Sequence, residues 1–233
     1  MSKVPCGCSA YSRLLDGVRR FRAQVYPKRQ ELFDSLANGQ SPHTLFITCA
    51  DSRISPEMIT QSDPGELFVC RNIGNVVPAY GEMLGGVSAV VEYACEGLGV
   101  SDIVICGHSD CGAMKALLTP DADILRRMPT VSSWLRNAEA ARSVVEMTQS
   151  DLDAPGKLSA LVEQNVRVQL ANLRTHPSVA ARLAAGTLAL HGWVFGIDRG
   201  TISVFDEREQ RLLPIEPVKV GAAVPPTLPT RST

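Results

Sequence analysis

The chain has 233 residues, 45% hydrophobic and 20% charged, a balance that supports a sizeable soluble core. Its 23 basic and 24 acidic residues leave a formal charge of −1, and only 5% of residues are aromatic, so neither a polyanion-binding surface nor a base-stacking platform is expected and nucleic acid is excluded as a partner class. No run approaches the roughly 18 uninterrupted apolar residues of a membrane span, and the opening Met-Ser-Lys-Val-Pro-Cys lacks the apolar segment of a secretory signal, so no membrane association and a cytoplasmic location are expected.

In chain order, residues 10–38 show helical spacing, with Leu14, Leu15, Val18, Phe21, Val25 and Tyr26 mostly on one face; Pro27 divides the stretch and Asn38-Gly39 closes it. Such a helix either covers the core or packs on a partner subunit. Leu45–Cys49, Glu66–Arg71 and Asp102–His108 read as short apolar strands of a parallel sheet covered on both faces. Between the second and third, 85–98 is helix-like, completing a βαβ unit. Helical patterns follow at 110–118, 131–147 and 157–174, with a shorter one after Pro177. Leu188–Phe195 reads as a strand, and Gly200 turns the chain into Thr201–Phe205, an antiparallel partner at the sheet edge. The tail after Pro214, with Pro217, Pro225, Pro226 and Pro229, reads as irregular or as an arm on a neighbouring subunit. The expected fold is a single α/β domain: a mainly parallel central sheet with an antiparallel edge strand, helices on both faces and a long N-terminal helix.

The chemistry is concentrated in two segments, Cys49-Ala50-Asp51-Ser52-Arg53 and His108-Ser109-Asp110-Cys111-Gly112. Two thiols and an imidazole are the donor set zinc prefers, and three protein ligands with one exchangeable position describe a catalytic zinc better than a structural one. Cys49 and His108 both end strands, and ligands of open α/β sheets gather at the carboxyl ends of strands. Cys111 falls where a turn enters a helix, whose N-terminus favours a thiolate, and Gly112 leaves room for an oxyanion at the helix N–H groups. Asp51 either ligates the metal and closes the site, or is held off by a bidentate Arg53 and orients a metal-held hydroxide. The plain alternative for that pair is a surface salt bridge worth about 0–1 kcal/mol.

Other candidates read more simply. The odd total of seven cysteines argues against a disulfide framework. Cys70, Cys95 and Cys106 lie in apolar runs and read as core, and Cys6 and Cys8 as a loose terminus. His43, His176 and His191 lack any local ligand spacing. Gly81, Gly85 and Gly86 lack the lysine and hydroxyl residue of a phosphate loop and read as turn and packing positions.

With Cys-Ala-Asp-Ser-Arg, Arg71-Asn72-Ile73-Gly74-Asn75 and His-Ser-Asp-Cys-Gly-Ala in order, the chain resembles a β-class carbonic anhydrase from about Gln40 to Phe205. Glu66-Leu67-Phe68-Val69-Cys70-Arg71-Asn72 and Val76-Val77-Pro78-Ala79-Tyr80 are similar to the plant-type branch, and most similar to bacterial members associated with cyanate breakdown. Ala50 stands where the family has Ser, a small residue for a small one. The resemblance implies one Zn²⁺ per subunit on Cys49, His108 and Cys111, with Asp51 a ligand in the closed state only. It implies a gate of Asp51 and Arg53, and a substrate pocket lined by Gln40, Phe68, Tyr93 and the Gly112 N–H. The other branch carries a tryptophan where this chain has Phe46, so no inhibitory bicarbonate pocket is expected. The implied reaction is reversible, zinc-dependent hydration of CO₂ to bicarbonate and a proton, by hydroxide attack on carbon. The alternatives are hydrolysis of carbonyl sulfide or carbon disulfide on the same scaffold, or a non-catalytic zinc-stabilised binding module. The implied organisation is an N-terminal helical arm (1–39), a catalytic core (40–206) and a C-terminal tail (207–233), assembled as a homodimer or a higher even-numbered homo-oligomer.

Overall fold

The computed structural model describes residues 9–82, 85–119 and 123–217. Strands β1 (Thr44–Cys49), β2 (Leu67–Asn72), β3 (Asp102–His108) and β4 (Ala189–Gly196) pair parallel, and β5 (Thr201–Asp206) and β6 (Arg211–Pro214) extend the sheet antiparallel. The order among the described residues is β2-β1-β3-β4-β5-β6. From β1 the chain crosses to β2 on one side and returns to β3 on the other, which opens a crevice at the carboxyl ends of β1 and β3. All six residues of β1 are buried, as its unbroken apolar run requires of a strand covered on both faces.

The expected strands form within a residue or two of their sequence bounds. β6 was not expected: Leu212 and Leu213 between Arg211 and Pro214 are too short a pattern to read as a strand, and pairing with β5 (Val204 opposite Leu213) creates it. Pro214 ends this edge strand, where its missing N–H costs no ladder bond. Two short helices, α3 (Pro56–Thr60) and α6 (Asp123–Arg126), were likewise unmarked by periodicity.

The N-terminal stretch is four pieces: α1 (Ala10–Arg20), a π-turn at Phe21–Val25, a 3-10 turn at Tyr26–Arg29 carrying Pro27, and α2 (Gln30–Leu36). The Ser9 hydroxyl caps α1 by accepting from the Ser12 N–H. Phe21, Tyr26 and Phe33 fill the elbow, Phe21 meeting Phe33 edge-on at 5.7 Å and Tyr26 stacking on Phe33 at 5.2 Å. No residue of α1 is buried, and Tyr11, Leu14 and Val18 are 67%, 68% and 56% exposed. The arm therefore does not cover its own core.

The remaining helices are α4 (Gly86–Glu92), α5 (Gly112–Leu118), α7 (Pro129–Leu135), α8 (Glu139–Thr148), α9 (Ala154–Leu173) and α10 (Pro177–Ala184); α9 lies on the sheet, and Leu135 of α7 and Val145 of α8 join the cluster formed with α5 and α9. One helix was expected over 131–147; a 3-10 turn at Arg136–Ala138 splits it, with Asn137 Nδ2 donating to the Trp134 carbonyl and competing with the backbone ladder. Among the described residues no helix is long and apolar enough to cross a membrane.

Helix α9 is the central packing element. Asp153 caps it through the Gly156 N–H, and Leu161, Val162, Val166, Leu170 and Leu173 are buried. It approaches the sheet closely because β3 and β4 present glycines beneath it. A Cβ on Gly107 would lie 3.0 Å from Val166 Cγ2; on Gly192 it would lie 2.8 Å from Val166 Cγ1 and 2.9 Å from Leu170 Cδ1. Gly192→Ala is therefore expected to destabilise the fold by about 1–3 kcal/mol through overpacking. In thermal unfolding each 1 kcal/mol lowers Tm by about 2–4 °C for a chain of this size; an unshifted transition would contradict the close approach.

Candidate metal centre

Cys49 is the last residue of β1 and His108 the last of β3, two adjacent strands in parallel register with Thr48 opposite Cys106. The backbone turns after His108 through Asp110, whose φ of +58° is a left-handed conformation aspartate tolerates, and delivers Cys111 to the start of α5. The Ser109 hydroxyl accepts from the Ile197 N–H and the Ser109 N–H donates to the Phe195 carbonyl, tying this turn to the end of β4. The three ligand atoms lie within 4.8 Å of one another, and all three residues are buried.

The protonation pattern suits a cation. His108 Nδ1 lies 2.9 Å from the Ser109 carbonyl, which fixes the proton there and leaves the Nε2 lone pair free. That Nε2 is buried with no hydrogen-bond partner, a costly arrangement unless something binds it. A hydrogen bond from Cys111, aided by the Gly74 N–H 3.4 Å away, holds the Cys49 thiol below its ordinary range; the same pairing, with burial, pushes Cys111 up. Two thiols sharing a proton beside a bare imidazole nitrogen are a donor set awaiting a borderline metal ion, so these residues fit zinc.

Asp51 stands beside this group, its Oδ2 3.9 Å from His108 Nε2. Arg53 grips it with Nε on Oδ1 at 2.9 Å and Nη2 on Oδ2 at 2.7 Å, while the Arg53 backbone N–H adds a third bond at 3.0 Å. These bonds hold the Asp51 carboxyl well below the usual carboxylate range. Arg53 in turn reaches Asp110 Oδ2 at 3.0 Å, and Asp110 also pairs with Lys115. Arg71 donates to the carbonyls of Cys49 (3.2 Å) and Asp51 (2.6 Å), bracing the loop. Sequence reading assigned no role to Arg71 or Asp110, although both lie inside the motifs that carry the resemblance.

Gly112 begins α5, and a Cβ there would meet nothing within 4 Å, so the space beside its N–H is open. The other expected pocket residues lie elsewhere within one chain. Phe68 pairs with Leu45, four residues before Cys49, or ~13 Å along the strand. Its ring meets Tyr93 at 5.9 Å, and Gln40 is exposed in the loop before β1. Gln40, Phe68 and Tyr93 thus gather at the amino ends of the strands, opposite the metal group.

Among the described residues, the remaining cysteines and histidines stand outside the metal group. Cys95 and Cys106 are buried and Cys70 half-buried, all free; burial raises each thiol, Cys106 to about 12. His43 bonds Thr44, His176 is buried against the Pro78 carbonyl, and His191 pairs with Asp102. Cys6 and Cys8 lie outside the described residues, as does the chain beyond 217.

The carbonic anhydrase family matches residues 44–202, which span both metal-bearing segments. The chain is a member of the β-carbonic anhydrase family. It is 52% identical over 200 residues to a carbonic anhydrase of Pseudomonas aeruginosa, covering 86% of this chain and 90% of that one. The solved structure of the β-carbonic anhydrase CcaA superposes with a TM-score of 0.87 at 40% identity, covering 89% of this chain and 100% of that one. A solved tetrameric β-carbonic anhydrase of Sordaria macrospora gives 0.74 at 29% identity, covering 83% and 95%.

Removing one donor tests the centre directly. Cys111→Ala is expected to purify with substoichiometric metal while keeping the wild-type circular dichroism, measured beside elemental analysis. Full metal loading in this variant would dismiss Cys111 as a ligand.

Proposed function

We propose that this carbonic anhydrase family member is a cytoplasmic zinc enzyme interconverting CO₂ and water with bicarbonate and a proton. The observation that carries the reading is the buried, unpartnered His108 Nε2 converging with Cys49 and Cys111 beside an arginine-held Asp51. Cys49, His108 and Cys111 would hold Zn²⁺, one per subunit. Zinc there would supply Lewis acidity, bringing a water's pKa from 15.7 down toward about 7–9.

The chain's own groups do the rest. Asp51, kept ionised and turned aside by Arg53, offers an acceptor that orients the attacking water's lone pair toward carbon. The Gly112 N–H, with open space beside it, offers a donor where charge develops on substrate oxygen. The arginine clamp favours the open state; rotation of Asp51 off Arg53 and onto the metal would close it. The three-membered donor group speaks for a centre with an exchangeable position, against a closed structural site.

Gln40, Phe68 and Tyr93 are too far from the cluster to line its pocket within one chain. They serve it if a second copy docks the amino ends of its strands against the carboxyl ends of these. Tyr93 is 51% exposed, and the bare apolar face of α1 provides an arm for such a dimer or a higher even-numbered assembly. A tetrameric relative is consistent with that assembly. Residues 1–39 then act as an exchange arm, 40–206 as the catalytic core and 207–233 as a tail. The Glu66–Asn72 and Val76–Tyr80 segments support placement in the plant-type branch, near the bacterial members associated with cyanate breakdown.

Stopped-flow hydration of CO₂ at about pH 8.5, toward the upper end of the water's lowered pKa range, is expected to be fast and to vanish on chelation; a zinc-loaded protein without turnover would refute the reading. Asp51→Asn keeps size but loses charge and is expected to cut turnover by about 10²-fold or more with zinc content unchanged. Leu14→Glu with Val18→Glu is expected to shift the sedimentation profile toward monomer and lower turnover together. An unchanged profile would remove the arm from the interface.

A further inference from the structure

The Gly74 N–H that donates to Cys49 Sγ at 3.4 Å belongs to the Ile73–Gly74 peptide, and the carbonyl of that same peptide accepts from Trp134 Nε1 at 2.8 Å. An indole N–H, one peptide group and the Cys49 sulfur therefore form a continuous chain of hydrogen bonds. Polarising an amide at its carbonyl strengthens its N–H as a donor.

The turn carrying this peptide is fixed from several sides. Gly74 has φ of +78°, and a Cβ there would lie 3.0 Å from Ala113 Cβ and 3.2 Å from Met114 Cε, so the turn is pressed onto α5, the helix that follows Cys111. Asn165 Nδ2 donates to the Gly74 carbonyl at 3.0 Å, and Gln169 Nε2 orients that amide by donating to Asn165 Oδ1 at 2.8 Å. Gln169 Oε1 accepts the Val77 N–H at 2.8 Å. Asn72 spans the turn, bonding both the N–H and the carbonyl of Val76. With the following peptide so held, the indole of α7 is the side-chain donor on the Ile73–Gly74 peptide, one of two backbone groups, with the Asp51 N–H, that bond the sulfur.

We propose that Trp134 is a positioning residue for the metal centre: by donating to the Ile73 carbonyl it keeps the Gly74 N–H on Cys49 Sγ and limits the charge that sulfur gives to a bound metal. This rests on Cys49 being a metal ligand. The competing account is that Trp134 merely satisfies its N–H while filling space, as indoles commonly do; a stability measurement alone would not separate the two.

Cobalt(II) replacing zinc in the full-length protein separates them, because its sulfur-to-metal charge-transfer band reports thiolate electron density. Trp134→Phe keeps the apolar body and removes the donor. The band is expected to move to lower energy at unchanged cobalt stoichiometry, and the Gly74 amide is expected to exchange about tenfold faster. Should that variant fail to fold, biosynthetic 5-fluorotryptophan strengthens the N–H without deleting it and is expected to move the band to higher energy. A band unmoved in a folded Trp134→Phe protein, or by the fluorinated indole where that variant does not fold, overturns the proposal. A wild-type cobalt protein with no thiolate band overturns both it and the metal-centre reading beneath it.

Discussion

Everything at the metal centre depends on the pairing of β1 with β3. Their parallel register places Thr48 opposite Cys106, so Cys49 and His108 leave the sheet together and a single turn suffices to add Cys111. A slip of one residue would carry Cys49 about 3.3 Å along its strand and turn its side chain to the other face. Thr48 secures the register at this level, its hydroxyl donating to the Cys106 carbonyl across the strands at 2.9 Å. The glycines under α9 serve the same end, letting the helix clamp β3 and β4 from above.

Around that pairing the protein solves a charge problem. A thiolate, a carboxylate and a bare imidazole nitrogen share a small, largely dry space. The donors on the thiolate sulfur are neutral: the Cys111 thiol and the backbone N–H groups of Asp51 and Gly74, the Gly74 N–H backed by the Trp134 indole. The cations stand one layer out: Arg53 on Asp51 and Arg71 on the loop carbonyls. A cation against the sulfur would compete with the metal for it, whereas neutral dipoles stabilise negative charge without neutralising the ligand.

What could be read from the sequence follows how local its cause is. Cys49, His108 and Cys111 were legible because strand ends and a turn-to-helix junction place them, and both features lie within a few residues of each. The Asp51–Arg53 pair was legible because two residues separate its members. The strands β1 to β4 declare themselves by short, largely apolar runs, and β5 by the Gly200 turn that precedes it. β6, α3 and the break between α7 and α8 do not, because partners elsewhere in the chain or a side-chain bond to the backbone decide them. Trp134 and Asn165 were invisible for the same reason: each touches the Ile73–Gly74 turn from 61 and 91 residues away. Gln40, Phe68 and Tyr93 gained a meaning from family likeness that the geometry of one chain does not express, since their neighbours at the metal would belong to another copy.

The exposed apolar face of α1 has a consequence for synthesis in the cell. The arm leaves the ribosome before any strand of the sheet, carrying Tyr11, Leu14 and Val18, which nothing among the described residues of its own chain hides. Left uncovered, that stripe is a surface for chaperones and for unwanted self-association. Expression level and temperature would then govern recovery of the protein more than the stability of its core.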